Sequence, residues 1–174
     1  MLTIYTIDIQ DSKSKHIVAH RLLKQVFTLS KLSENLLQSA KRTRGGKLLA
    51  GKHYINITYA DSFAFIMITE QSFGIDAETL KPVSTQVRLL LSNLLSISIS
   101  NDWEFYKAWT AMESEIKYYD DKGLFDALTG KLKKNHALQT LHVMYEGNLI
   151  AITSTINNIK TQKVLFKKCK DETV

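Results

Sequence analysis

The stretch FAFIMITEQSFGIDAE, residues 63–78, contains two predicted β-strands and the first acidic pair of interest. Residues 63–69 are β-branched, aromatic and apolar, which is typical of a strand, and residues 71–78 have the pattern of another. Asp76 and Glu78 stand two apart at the end of the second strand. Because residues two apart on a strand point to the same side, we predict two carboxylates on one face.

The neighbouring segments extend this pattern in both directions. Residues 54–59 predict a strand joined to the strand at 63–69 by a short turn, and Pro82, the only proline, disfavours helix at Lys81. Residues 84–95 predict a helix with Val87, Leu90, Leu91 and Leu94 on one side. Asn101 or Asp102 is a suitable N-cap for a further helix over 103–118.

The helix over 103–118 carries a second acidic cluster, Trp109-Thr110-Ala111-Met112-Glu113-Ser114-Glu115-Ile116-Lys117. Glu113 and Lys117 are four residues apart and therefore share a helix face. Three carboxylates brought together, with a lysine beside them, suit an oxygen-ligated Mg²⁺ and a phosphate-bearing substrate. Trp103 and Trp109 are predicted to pack in the core or between lobes.

The rest of the chain predicts a strand at 2–9, helices at 14–29 and from residue 33, and strands at 138–145, 149–155 and 163–166. Each half therefore has helices followed by antiparallel strands. We predict an α+β fold with two similar lobes, each with helices packed on a small antiparallel sheet. The predicted lobes span 1–72 and 73–174, the second carrying the acidic residues.

Composition limits the class of protein. The 174 residues include 44% hydrophobic and 23% charged residues, which is ordinary for a globular domain. The single cysteine, Cys169, excludes an internal disulfide and a cysteine-built zinc site, and the histidines lack metal-site spacing. The N-terminus does not resemble a signal peptide, and no apolar run reaches the ~20 residues of a membrane span. We therefore expect a soluble, cytoplasmic protein.

The formal net charge is +6, and the cations are grouped. One group lies within twelve residues that contain no acid: Lys41, Arg42, Arg44, Lys47 and Lys52. A second group of five lysines lies at 160–170. Such groups attract phosphates, acidic proteins or nucleic acid, and a solvated surface is the alternative interpretation.

Four segments, in this order, carry a resemblance to a known family. They are Gly51-Lys52, Asn56-Ile57-Thr58-Tyr59-Ala60, Gly74-Ile75-Asp76-Ala77-Glu78 and the acidic helix segment 109–117. In order and spacing, over roughly residues 45–155, the chain resembles a 4′-phosphopantetheinyl transferase of the surfactin-synthetase-activating type.

The resemblance implies a pseudo-dimeric two-lobed fold, with coenzyme A bound in the cleft between the lobes. The family transfers the 4′-phosphopantetheine arm of coenzyme A to a serine of an acyl or peptidyl carrier protein and releases 3′,5′-ADP. By this resemblance Asp76, Glu78 and Glu113 hold Mg²⁺ on the pyrophosphate. Lys117 contacts phosphate and is implicated in proton movement, so Glu113 and Lys117 are the expected catalytic residues.

The resemblance also implies which residues contact coenzyme A. Lys52 and the region of Arg44 and Lys47 align with phosphate-binding residues of the first lobe, and Tyr59 stands at a position that contacts the coenzyme A phosphates. The expected partners are a carrier protein and coenzyme A, with no nucleic acid and no membrane. The two-lobed organisation implies a working monomer.

Three positions depart from the family pattern. Tyr59 replaces a histidine, Met112 replaces a lysine, and Leu94 and Leu95 occupy a region where a glutamate is proposed as general base. Three hypotheses therefore remain open. The chain is an active transferase, a catalytically degenerate member that binds a carrier protein or another partner, or a metal-dependent nuclease whose acidic cluster holds the metal.

Overall fold

The structure is a computed structural model that describes residues 1–9, 15–43, 46–119, 121–129, 137–155, 159 and 162–169. The helices are α1 (Lys15–Leu29), α2 (Glu34–Gln38), α3 (Thr85–Leu95), α4 (Asp102–Tyr119) and α5 (Leu124–Leu128). The strands are β1 (Leu2–Asp8), β2 (Lys41–Arg42), β3 (Leu48–Ala50), β4 (His53–Ala60), β5 (Phe63–Thr69), β6 (Gly74–Thr79), β7 (Leu138–Tyr145), β8 (Asn148–Thr155) and β9 (Val164–Lys168).

The strands form two sheets, so the predicted mixture of helices and sheets is confirmed. A six-stranded sheet has the order β2-β3-β4-β5-β1-β9, and a three-stranded sheet has the order β6-β8-β7. The predicted hairpin β4–β5 is present, with Thr58 opposite Phe65. The strands predicted at 138–145 and 149–155 also pair as a hairpin, β7–β8, with Val143 opposite Ile150. Most residues of β5 and β8 are buried, whereas β7 has no buried residue.

The last strand joins the first sheet. β9 pairs in parallel with β1, Leu2 lying opposite Val164, although β9 belongs to the predicted C-terminal lobe. The larger sheet is therefore not purely antiparallel, and the two sheets differ in strand number. Two short strands at the sheet edge, β2 and β3, and the short helix α5 were not predicted, because two to five residues carry no periodic pattern.

Strand β4 separates two hydrophobic clusters because its side chains alternate between the faces of the sheet. Ile55, Ile57 and Tyr59 pack with α1 and α2 in one cluster. A second cluster lies between the two sheets and includes Phe65, Phe73 and Ile152. A third cluster holds α3 and α4 against β8.

The close approach of β6 and α4 depends on Gly74. A Cβ atom at this position would lie 1.8 Å from the Ser114 carbonyl oxygen and 2.6 Å from the Tyr118 amide nitrogen. Both atoms belong to the helix backbone, which cannot rotate out of the way as a side chain can. Glycine at the first position of β6 therefore allows the strand and the helix to touch.

The predicted helix over 84–95 is present as α3, and of Val87, Leu90, Leu91 and Leu94 only Leu91 is buried. The prediction that Trp103 packs in the core or between lobes is wrong, because this residue is 44% exposed in the first turn of α4. Within the described ranges, no helix is long and apolar enough to cross a membrane.

Candidate active site at the β4, β6 and α4 junction

Three elements bring polar side chains together between the sheets. Strand β4 contributes Thr58, β6 contributes Asp76, and α4 contributes Lys117. Thr58 and Asp76 are buried, and Lys117 is partly exposed. Thr58 lies on the face of β4 that turns toward β6, because it alternates with Tyr59, which turns toward α1 and α2.

The ion pair between Lys117 and Asp76 is the central contact of this site. Lys117 Nζ donates to Asp76 Oδ1 at 2.7 Å, and Nζ also lies 3.4 Å from Thr58 Oγ1. Thr58 Oγ1 donates to Asp76 Oδ1 at 3.2 Å and accepts from the backbone amide of Ala77 at 3.2 Å. One carboxylate oxygen of Asp76 is therefore held by a charged donor and a hydroxyl donor.

The second carboxylate oxygen of Asp76 has no hydrogen-bond partner among the residues that the structure describes. Oδ2 is buried and makes no hydrogen bond. A buried carboxylate oxygen without a partner is costly, and natural proteins retain such an atom mostly where a ligand, an ion or water completes it. The orientation of Asp76 thus leaves one ligand position open in the interior of the site.

Glu78, two residues further along β6, is oriented by α4. Trp109 Nε1 donates to Glu78 Oε1 at 3.2 Å. Burial raises the pKa of Glu78, the charge of Asp76 raises it further, and the hydrogen bond from Trp109 opposes both effects. The electrostatic effect of Asp76 agrees with the predicted placement of these two carboxylates on one side of β6.

Glu113 belongs to the same group of charges. Burial raises the pKa of Glu113, the charges of Asp76 and Glu78 raise it further, and the positive charge of Lys117 lowers it. The neighbouring Glu115 differs, because burial alone raises its pKa. The charges of Asp76, Glu78 and Lys117 therefore act on Glu113 but not on Glu115, which provides a matched carboxylate on the same helix.

The fit of these residues to Mg²⁺ has points on both sides. Among the described residues, no three acidic, histidine or cysteine side chains already converge as a set of metal ligands. However, Asp76 influences both Glu78 and Glu113, and its Oδ2 atom is buried and unpartnered. Carboxylate oxygens are the ligands that Mg²⁺ prefers, and mutual repulsion among carboxylates favours a cation. By the chemistry of their oxygens these carboxylates suit Mg²⁺, although the described side chains do not converge as a ligand set.

Lys47 does not lie where a phosphate could reach it. Its side chain is only 1% exposed, and Nζ donates to the carbonyl oxygen of Tyr118 at 2.7 Å and to Ser72 Oγ at 3.4 Å. The rings of Tyr54 and Tyr118 lie 5.8 and 5.7 Å from Nζ, within the range of cation–π contact. In this conformation Lys47 joins the edge of the larger sheet to the C-terminal end of α4, so its position does not support the predicted phosphate contact.

Lys52 does not add a cation to the site. Lys52 is on the exposed turn between β3 and β4, where Nζ pairs with Glu70 at 2.8 Å. It precedes Thr58 by six residues, which is roughly 20 Å along an extended strand. Arg44 lies outside the described residues.

Tyr59 faces a cavity on the other side of the larger sheet. The cavity has a volume of about 420 Å³, and its lining includes Lys24, Glu34, Arg42 and Tyr59. Burial raises the pKa of the Tyr59 hydroxyl, and the positive charge of Arg42 lowers it. The predicted cofactor contact Tyr59 therefore lies with Arg42 and Lys24 rather than with Lys47 or Lys52.

The cavity and the carboxylates lie on opposite faces of β4, whose edge is only partly paired in the described part of the chain. Strand β3 pairs with residues 53–55 of β4 and with no later residue in the described part of the chain. From Asn56 to Ala60, the strand is paired only with β5 among the described strands. Tyr59 lines the cavity on one face of the strand, whereas Thr58 is buried on the other.

The remaining departures from the family pattern have different environments. Met112 is buried in the third cluster, where a lysine would have to be desolvated. Leu94 is exposed and Leu95 is partly buried on α3. Neither leucine can accept a proton.

Two residues of this site were not singled out from the sequence. Thr58 was quoted as part of a motif but given no role, although a polar residue in a largely apolar strand interior is an available indication. Trp109 was given no chemical role, because its hydrogen bond to Glu78 depends on how α4 packs on β6.

No protein-family model matches the chain, and no curated protein matches it significantly.

Proposed function

We propose that this chain is a 4′-phosphopantetheinyl transferase that modifies a serine of an acyl or peptidyl carrier protein. The observation that supports this most directly is the buried, unpartnered Asp76 Oδ2 beside Glu78, Glu113 and Lys117. A group of carboxylates with an adjacent ammonium group suits a divalent cation and a pyrophosphate together. We also propose that the two sheets with their helices correspond to two lobes.

In the proposed reaction, the serine oxygen forms a bond to the phosphorus that carries the pantetheine arm. The bond from that phosphorus to the bridging oxygen breaks, and 3′,5′-ADP leaves. Asp76, Glu78 and Glu113 would hold Mg²⁺, which would neutralise charge on the pyrophosphate. Lys117 holds a positive charge beside the phosphoryl oxygens, where charge develops.

Glu113 would act by holding the cation rather than by accepting the serine proton, because a divalent cation bound to a carboxylate lowers its proton affinity. Leu94 and Leu95 cannot accept a proton either. The serine proton would therefore pass to water at the site and from there to solvent.

The remainder of coenzyme A would cross the edge of β4. We propose that the nucleotide portion occupies the cavity at Tyr59, with its phosphate held by Arg42 and Lys24. These two cations take the role first predicted for Lys47, Lys52 and Arg44. The pyrophosphate then lies near Thr58 and Lys117.

A degenerate, carrier-binding or partner-binding member of the same family is the second candidate. One observation favours it: Lys47 and Lys52 are both engaged within the protein, by Tyr118 and by Glu70. Without those cations the phosphates of coenzyme A would be held less firmly. The two candidates differ in whether coenzyme A binds in a Mg²⁺-dependent way.

The test is intact-mass spectrometry of an apo acyl carrier protein incubated with this chain, coenzyme A and Mg²⁺. The expected result is a gain of one phosphopantetheine arm that EDTA prevents. Glu113→Gln should abolish the gain, whereas Glu115→Gln on the same helix should retain it. Calorimetry with coenzyme A and Mg²⁺ accompanies the assay.

No mass gain on several carrier proteins, together with no binding of coenzyme A, would refute the transferase and favour the binding protein. Equal activity of Glu113→Gln and wild type would instead refute the role of Glu113. Cleavage of DNA without coenzyme A, lost in Glu113→Gln, would favour the metal-dependent nuclease.

A further inference from the structure

Lys47 is a buried lysine that the proposed reaction does not use. It follows Gly46 in the turn between the short edge strands β2 and β3, and its side chain reaches the C-terminal end of α4. The backbone of this turn is itself held, because the carbonyl oxygen of Lys47 accepts from the Thr43 amide at 2.8 Å and from Thr43 Oγ1 at 3.2 Å. The edge of the larger sheet therefore presents Lys47 from a fixed backbone.

The contact that Lys47 makes suits the end of a helix. Tyr118 is the next-to-last residue of α4, and the carbonyl groups of a last helical turn have no partner within the helix. These carbonyl groups also form the negative end of the helix dipole, which favours a nearby cation. Lys47 Nζ lies 2.7 Å from the Tyr118 carbonyl oxygen, a distance typical of a charge-assisted hydrogen bond. Lys47 therefore caps α4 from another part of the chain.

Ser72 reinforces this contact. Ser72 Oγ donates to the Tyr118 carbonyl oxygen at 3.4 Å and accepts from Lys47 Nζ at 3.4 Å. The backbone carbonyl of Ser72 accepts from Ser154 Oγ at 2.9 Å, which ties the segment before β6 to β8. The turn between β2 and β3, the segment before β6 and the end of α4 therefore meet at one carbonyl oxygen.

This end of α4 carries Lys117, the cation of the candidate active site. Tyr118 follows Lys117 directly, and the Tyr118 amide nitrogen lies 2.6 Å from the place that a Cβ atom of Gly74 would take. The peptide groups on both sides of Tyr118 are thus held, one by β6 and one by Lys47. Lys117 Nζ contacts Asp76 Oδ1 at 2.7 Å through a long, partly exposed side chain. Because such a side chain has many rotamers, a fixed backbone helps to keep its ammonium group at Asp76.

We infer that Lys47 is a positioning residue of the candidate active site, which acts through the Tyr118 carbonyl to hold Lys117 beside Asp76. The catalytic consequence rests on the proposed function, whereas the structural step can be measured without a substrate. Loss of the Lys47 ammonium group would release the last turn of α4 and let Lys117 move. A displacement of about 1 Å at a reacting group costs about a hundredfold in rate, so a smaller movement is also measurable.

The test compares Lys47→Met with Ser72→Ala and Ile66→Val. Methionine keeps most of the length of the lysine side chain without its donor, and alanine removes the weaker donor to the same carbonyl oxygen. Ile66 is fully buried in the cluster that packs with α1 and α2, so Ile66→Val is the control for a general loss of core packing. Circular dichroism and thermal melting show which variants are folded. If Lys47→Met does not fold, Ser72→Ala carries the test.

The first measurement follows Lys117 by NMR in protein that carries carbon-13 at the lysine Cε atoms. Its signal is assigned by its loss in Lys117→Arg. We expect this signal to move toward those of exposed lysines in Lys47→Met, to move less in Ser72→Ala, and to keep its wild-type position in Ile66→Val. A lower free energy of unfolding does not by itself shift a signal of the folded state, so this pattern reports displacement of Lys117.

The second measurement is the transfer reaction with an apo acyl carrier protein, coenzyme A and Mg²⁺, at a temperature where each variant is folded. We expect Lys47→Met to lower kcat about tenfold or more and to change KM for coenzyme A by about twofold or less. The physical reason is that Lys117 is proposed to act where charge develops in the transition state. Ile66→Val should keep the wild-type kcat.

An unmoved Lys117 signal in both Lys47→Met and Ser72→Ala would overturn the inference, as would an equal movement in Ile66→Val. A moved signal with wild-type kcat in Lys47→Met would also overturn it, because the contact would then serve stability alone. No transfer by wild type would refute the proposed function. The Lys117 signals would then still support or overturn the contact through which Lys47 holds Lys117.

Discussion

Substitution of Gly74 by alanine tests the contact between β6 and α4 on which the candidate site depends. The new Cβ atom would lie 1.8 Å from the Ser114 carbonyl oxygen, whereas ordinary van der Waals contact begins at 3.4 Å. The strand and the helix would have to separate by about 1.6 Å, the difference of the two distances. Because both groups are backbone, no side-chain rotation relieves the overlap.

We expect Gly74→Ala to lower the free energy of unfolding by about 3 kcal/mol or more, the upper range for overpacking. For a chain of this size, that corresponds to a fall in Tm of about 6–12 °C. The separation would also stretch the 2.7 Å ion pair between Lys117 and Asp76, which joins the same two elements. Displacements of ~1 Å at a catalytic site cost about a hundredfold in rate.

Urea denaturation followed by tryptophan fluorescence measures this effect directly, because Trp109 lies in the contact. Its Nε1 atom donates to Glu78 across the same boundary. Gly123→Ala is the control, since its Cβ atom would meet nothing closer than Asp126 Oδ2 at 4.0 Å. Substitutions at exposed positions usually change the free energy of unfolding by no more than ~0.5 kcal/mol. If the free energy of unfolding of Gly74→Ala lies within that range of wild type, the assigned packing of β6 on α4 is wrong.

Three other predictions concern charged and polar contacts. Lys47→Met removes the donor to two polar groups and should lower the free energy of unfolding by about 1–3 kcal/mol in the urea assay. Lys52→Met breaks only an exposed ion pair and should lower it by less than ~1 kcal/mol. Because the folded-state pKa of Glu113 is raised, its contribution to stability falls as pH rises through that pKa, so Glu113→Gln should be more stable than wild type at pH 7 and equal near pH 4. Trp109→Phe removes a hydrogen bond to Glu78 and should raise the pKa of that carboxyl in a carbon-13 NMR titration.

Each of these predictions has a contrary outcome. Equal losses of stability in the Lys47 and Lys52 variants would show that the buried contacts of Lys47 stabilise the fold no more than the exposed ion pair of Lys52 does. A stability difference for Glu113→Gln that persists unchanged to pH 4 would exclude the titration of this residue as its cause. If the exposed Trp103, replaced by phenylalanine, shifts the pKa of Glu78 as much as Trp109→Phe does, the Trp109 hydrogen bond is not the cause.

Prediction from sequence succeeded where the pattern is local. Neighbouring residues alone show the alternation that predicts β4 and β5 and the turn that joins them. Both strands are present at the predicted places. The helix over 102–119 follows from a run of helix-forming residues behind a suitable cap. Likewise, the spacing of Asp76 and Glu78 is sufficient to put them on one side of a strand.

Exposure of α3 was not predictable from the same kind of pattern. The apolar residues of α3 have helical spacing, and such a pattern indicates which residues share a face without indicating whether another element covers it. The packing of α4 buries Leu91 and leaves Leu90 in solvent.

Residue type and spacing alone therefore determined the main strands and helices and the acidic residues worth considering. Only the tertiary structure decided that Lys47 is buried against Tyr118, that Trp109 holds Glu78, and that β9 pairs with β1. The physical reason is range: periodicity reflects contacts within a few residues, whereas these three contacts join residues 31 to 162 positions apart. Such contacts depend on how whole elements pack, and no local pattern records them.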